Sequence, residues 1–166
     1  MISFVNQLEL SIISKGYVKD VFVVLLDTIN VNQYCDVKNK ILLIENSIIQ
    51  DTNIMTSEKE ILLAFTSIGR HSYYYWFNHF ELNEDGYELY NGNEESRVRR
   101  WFKAGAAAIG DAAGGIASGA AANKNTDPNV ANRDVIIGAA SITGAVSASA
   151  TAAGLVDRVF DWFSRK

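Results

Sequence analysis

Apolar residues recur at helical spacing through the first eighty positions. Phe4, Leu8, Ile12 and Ile13 form the first stripe, which ends at Gly16, a residue that favours a break. The next run, "YVKDVFVVLLDTIN", is dense in Val, so a strand is the alternative there. Val18, Phe22, Leu25 and Ile29 nevertheless hold one helical face, and a buried helix is the preferred reading. In "DVKNKILLIENSIIQ", Val37, Ile41, Ile44 and Ile48 share a side, with Asp36 as the candidate N-cap. Further on, Ser57 is followed three residues later by Glu60 ahead of an apolar run, the pattern of a capping box. A helix is therefore expected from about Glu58 to about Phe80, with Leu62, Leu63, Phe65 and Ile68 on its buried face. Its end carries Tyr73, Tyr74, Tyr75, Trp76, Phe77 and Phe80, a cluster too wide for one core-facing stripe.

The pattern changes in the last third. "GAAAIGDAAGGIASGAAA" (105–122) and "VIIGAASITGAVSASATAAGLV" (135–156) are built almost wholly from small residues and are separated by the polar break "NKNTDPNVANRD". On a helix, Ala106, Gly110, Gly114, Ser118 and Ala122 fall four apart and make a small-residue ladder, the general form of GxxxG. Two helices that pack closely as an antiparallel hairpin are expected, the second starting at Pro128 or nearer Asp134. In such a hairpin Trp101 and Phe102 meet Phe160, Trp162 and Phe163 at one end, together with the basic residues Arg97, Arg99, Arg100, Lys103, Arg158, Arg165 and Lys166. The fold class expected is all-α, with a helical region over 1–80, an acidic linker over 81–96 and an Ala/Gly-rich hairpin over 97–166.

Charge and chemistry narrow the functional classes. A net charge of −4 argues against nucleic acid as a partner. Cys35 is the single cysteine, so neither a disulfide framework nor a cysteine zinc cluster is available, and a half-buried position is expected for it. The first twenty residues lack a basic leader and carry Glu9, which does not fit a cleavable signal peptide; a cytoplasmic or membrane-associated protein is expected. Neither a GxSxG elbow nor a GxxxxGK[ST] phosphate loop is present. His71 and His79 stand two helical turns apart without an obvious third ligand. In the acidic linker, Glu81, Asn83, Asp85 and Gly86 mimic the start of a calcium loop, but its twelfth position is Gly92 where a bidentate Glu is needed. No catalytic residue, cofactor site or metal site is assigned, and the chain is expected not to be an enzyme.

The tail resembles the glycine-zipper helical hairpins of some channel-forming bacteriocins, small holin-like membrane proteins and lipid-associated bacterial proteins. Gly110, Gly114, Gly115 and Gly119 in the first arm and Gly138, Gly144 and Gly154 in the second carry the resemblance, which covers the last third only. It implies a toxin-like or envelope-acting protein whose partners are membrane lipid or further copies of itself. The 22 uncharged residues from Val135 to Val156 are long enough to span a bilayer. The first arm is a poorer candidate, because Asp111 near mid-bilayer costs about 2.5–3.5 kcal/mol. In the soluble alternative Asp111 lies on a wet face and the protein is an interaction module of the immunity, adaptor or phage accessory type, binding a protein partner through the Tyr/Trp helix. The helix-packing residues expected are Ala106, Gly110, Gly114, Gly115, Ser118, Gly119, Gly138 and Gly144; the interface aromatics are Trp76, Trp101, Phe102, Phe160, Trp162 and Phe163.

Overall fold

Helices are the only regular elements among the described residues of the computed structural model, which comprise 2–27, 34–83, 94–127, 129–145 and 148; the side chains of Ile2, 79–83 and 94–103 lie outside the description. The protein is all-α. In chain order the helices are α1 (Ile2–Gln7), α2 (Ile12–Leu26), α3 (Tyr34–Gln50), α4 (Thr56–Asn83), α5 (Glu94–Asn125) and α6 (133–145). The long helices α4 and α5 make the largest helix–helix contact, and α2 and α3 pack on α4 beside it. One apolar cluster joins all six, running from Val5 and Leu8 through Val18, Phe22, Leu25, Val37, Ile41, Ile48, Ile61, Leu62 and Phe65 to Ala104, Ala108, Ala112, Ile116 and Ile137.

The N-terminal stripe is broken earlier than its periodicity predicts. Ser11 caps α2, accepting a 3.2 Å hydrogen bond from the Ser14 backbone N–H, and the helix then runs straight through Gly16. Ile12 and Ile13 are consequently exposed rather than buried with Phe4 and Leu8. The rest of α2 keeps its expected face: Val18, Phe22 and Leu25 are buried, and Val21 joins them. Ile29 lies outside the described residues. In α3, Val37, Ile41 and Ile48 are buried and Ile44 is half-buried, while Asp36 sits inside the first turn rather than at the cap. Glu45 and Arg70, both largely buried, pair at 3.5 Å and tie α3 to α4. Cys35 is exposed, not half-buried.

The start of α4 corrects the capping-box reading. The helix begins at Thr56, so Ser57 is already inside it, and Glu60 faces Asp134 instead of its own helix end. Burial and the Asp134 carboxyl both push Glu60 above the usual carboxylate range. The acidic side chain that does satisfy a helix end is Glu58. Its Oε1 accepts the Ser11 backbone N–H at 2.8 Å, and its Oε2 accepts the Ser11 and Ser14 hydroxyls at 2.6 Å each. A carboxylate from one helix thereby closes the N-terminus of another, where the α2 dipole also favours negative charge.

Burial pushes the Glu58 carboxyl up, but the Ser11 and Ser14 hydroxyls and the Ser11 N–H outweigh it and hold the group below its usual value of 4.5. A carboxyl depressed in the folded state stabilises fully above its unfolded value, and that contribution disappears as pH falls through the folded value. Glu58→Gln is therefore expected to lower stability by about 1–3 kcal/mol at pH 7, given the hydrogen bonds to a charged group that it removes. Urea titrations over a pH series check this: the difference between the two proteins should shrink as pH drops below about 4.5, and a difference independent of pH contradicts it.

Candidate functional site

The site begins with how closely α5 approaches its neighbours. A Cβ on Gly105 would strike the Leu25 carbonyl oxygen at the end of α2. One on Gly114 would strike the Gly144 carbonyl oxygen, and one on Gly144 would meet both the Ser118 hydroxyl and the Gly114 carbonyl oxygen. Gly115 sits where a Cβ would lie 2.8 Å from Ile68 Cδ1 and 3.2 Å from the Ser141 carbonyl oxygen, and Gly119 abuts the Ser141 hydroxyl. Arg133 Nη2 donates to the Asn123 carbonyl oxygen at 2.8 Å. Gly114 against Gly144, Gly119 against Ser141 and Asn123 against Arg133 place the described parts of α5 and α6 in antiparallel order.

That approach brings a carboxylate onto α4. Asp111 is only 7 % exposed, because its neighbours on α5 are Ala108, Ala112 and Gly115 and nothing bulky holds the helices apart. On the facing side of α4, Ile68, His71, Ser72, Tyr75 and Trp76 recur at three- and four-residue spacing and form one face. With Asp111 and with Ala145 of α6 they line an open groove of about 600 Å³. The Ser72 hydroxyl donates a short hydrogen bond to Asp111 Oδ2, and Trp76 Nε1–H donates to the same oxygen at 3.0 Å. Asp111 Oδ1 is buried and has no hydrogen-bond partner. The rings of Tyr75 and Trp76 meet edge to face, with centroids 5.2 Å apart and planes at 83°.

The aromatic cluster divides across the helix. Tyr73 points into the core at 1 % exposure between Tyr34 and Phe77, with ring centroids 6.5 and 6.2 Å away, and burial pushes its hydroxyl up to about 12. Tyr74 and Tyr75 are 50 % and 59 % exposed, and Trp76 is half-buried over Asp111.

Of the expected helix-packing residues, Gly114, Gly115, Ser118, Gly119 and Gly144 stand in close helix contacts. Ala106 and Gly110 are half-buried. Gly138 faces open space, with nothing within 4 Å of where its Cβ would be. The fully buried ladder is Ala104, Ala108, Ala112, Ile116 and Ala120, two residues away from the expected one, with Gly105, Asp111, Gly115 and Gly119 beside it. Trp101 and Phe102 belong to α5, but their side chains lie outside the description, and Phe160, Trp162 and Phe163 fall outside the described residues altogether, as does the second half of the 135–156 run except residue 148. Asp111, expected on a wet face in the soluble reading, is buried. The periodicity did not single out Gly105, Ser72 or Tyr75. The signals that mark them are the one acid in the Ala/Gly-rich part of α5 and the spacing of Ser72, Tyr75 and Trp76 opposite it.

Among the described residues no group of three His, Cys, Asp or Glu side chains is placed to hold a metal ion. Ser72 is engaged directly with a carboxylate, an arrangement that lacks the intervening base an activated serine uses. No protein-family model, curated protein or solved structure matches the chain.

The glycine contacts separate two kinds of position. Gly105→Ala and Gly114→Ala place a methyl against a backbone carbonyl that cannot turn aside, and each is expected to cost about 1–3 kcal/mol by overpacking. Gly16→Ala and Gly138→Ala meet open space, and each is expected to raise stability by up to about 1 kcal/mol through helix propensity. Chemical denaturation of the four variants distinguishes them; uniform stabilisation by alanine contradicts the close approach.

Proposed function

We propose that this chain is a non-enzymatic binding module that recognises a protein partner through the Tyr/Trp face of α4, with the Ala/Gly helices acting as the packing device that builds and braces this face. One observation carries the reading. The glycine-lined surfaces of α5 are covered within the molecule by Leu25, Ile68, Ser141 and Gly144, whereas α4 lines a groove with its Tyr/Trp face and exposes Tyr74 and Tyr75 there. Aromatic side chains with a polar tip are favoured anchors of protein interfaces, since they offer large contact area at small entropic cost.

A second reading, contact with a lipid surface, has a different observation in its favour. Val135, Ile136 and Ile142 of α6 are 68 %, 42 % and 62 % exposed, which gives that helix an apolar outer side. No helix among the described residues is long and apolar enough to cross a membrane, so this contact would be peripheral over those residues.

Photocrosslinking in cells that express the chain separates the two. A photoreactive residue at position 75 is expected to give a discrete protein adduct, which Trp76→Ala suppresses, while the same residue at Val23, equally exposed on α2, gives none. Lipid adducts from position 142 with no protein adduct from position 75 would favour the second reading. Equal adducts from positions 75 and 23 would overturn the first.

A further inference from the structure

We propose that the groove between α4 and α5 seats a basic side chain of the protein partner, a lysine ammonium or arginine guanidinium that pairs with Asp111. This rests on the reading of the α4 face as a docking surface and names the group that docks. Asp111 is more than nine-tenths buried, and both of its described hydrogen bonds fall on Oδ2, leaving Oδ1 buried without a partner. Among the described residues no cation pairs with it, although exposed and half-buried carboxylates elsewhere do find theirs: Glu9 with Lys124, Asp27 with Lys40 and Glu45 with Arg70. A carboxylate in this state is completed most strongly by a charge-assisted donor.

The groove walls specify what carries that charge. Ile68 and Ala145 offer apolar surface to a methylene stem, and the aromatic side chains of Tyr75 and Trp76 line the groove beside the carboxylate. A metal ion would need further ligands, and the described residues supply no group of three. A small-molecule pocket encloses most of its ligand, whereas this groove is open and is flanked by the exposed rings of Tyr74 and Tyr75, which a partner surface can cover. The net charge of −4 makes a basic partner complementary to the molecule as a whole.

The test follows the Trp76 indole N–H by NMR in the full chain, identified through Trp76→Phe, while blocked amino acids are added. The probes are the N-acetyl methylamides of lysine and arginine, their neutral counterparts Nε-acetyl-lysine and citrulline, and n-butylammonium as a free amine. The lysine or arginine probe should shift the indole signal at millimolar concentration, with the neutral probes at least about tenfold weaker for want of the charge-assisted bond. Asp111→Asn should abolish the shift with the far-ultraviolet circular dichroism unchanged. Tyr75→Ala, at an exposed position, should weaken binding about threefold while leaving the fold intact. If Asp111→Asn does not fold, the charged-against-neutral comparison and Tyr75→Ala decide. Absence of any shift, equal shifts from charged and neutral probes, or binding retained by a folded Asp111→Asn overturns the inference. Tighter binding of n-butylammonium than of the blocked amino acids overturns the choice of a partner side chain in favour of a small-amine site. Failure here with the position-75 crosslink intact leaves a binding module without a cation site; loss of that crosslink removes the module reading itself.

Discussion

The rest of the structure depends on the close approach of the α5 backbone to its neighbours, at points where any side chain larger than hydrogen would collide with a carbonyl group or a packed methyl. Gly105 admits the end of α2, Gly115 admits Ile68 of α4, and Gly114 faces Gly144 of α6. Helices built from Ala and Gly have little apolar area per residue to bury, so dispersion between closely packed backbones matters more than hydrophobic transfer. Gly also disfavours the helix by about 1 kcal/mol relative to Ala, so a Gly-rich α5 is held by its neighbours as much as by its own hydrogen bonds. Around this packing, α4 and α5 lie together along much of their length, α2 docks on both, α3 docks on α4 and α2, and α1 docks on α2.

Close packing of this kind has an electrostatic consequence. The Ala/Gly-rich part of α5, lined with methyls and hydrogens, puts its one acidic residue within reach of whatever the opposing helix presents, and α4 presents Ser72 and Trp76 to Asp111. Two buried carboxylates among the described residues show opposite outcomes. Glu58 receives three donors shared between both oxygens and serves as a structural cap for α2. Asp111 receives two donors on one oxygen, keeps the other without a partner and lines an open groove. A group whose hydrogen bonding is complete contributes to stability, whereas one left incomplete is the feature on which the proposed docking rests.

Much of the N-terminal architecture was legible in the chain, because the large apolar residues of α2, α3 and α4 recur with the period of the helix, a signal that decided even the Val-dense α2 against a strand. The limits of these helices were harder to read. Ser11 ends the first stripe by capping α2 with help from Glu58, a residue 47 positions away, and local pattern carries no trace of such a partner. Of the small-residue ladder, Gly114 and Ser118 meet Gly144, while Ala106 and Gly110 are half-buried. In a run of Ala and Gly nearly every four-residue register is small, so size cannot choose among them; what lies opposite chooses, and Gly138, which belongs to the pattern, faces nothing. Asp111 was visible from the start as an acid in an apolar helix, but whether it meets water, lipid or hydrogen-bond donors depends on the face of α4 set against it.

Two features of the groove come from separate parts of the chain and neither suffices alone. The Tyr/Trp face of α4 without α5 would be an aromatic stripe, and Asp111 without the glycine contacts would have no route to Ser72 and Trp76. The backbone approach joins them, and the pairing of Gly114 with Gly144 tests it most directly. A nuclear Overhauser contact between the Hα protons of Gly114 and Gly144 in the assigned full-length chain is the predicted result. Complete assignments of both glycines with no such contact, or with contacts that place α6 on another face of α5, would contradict the account.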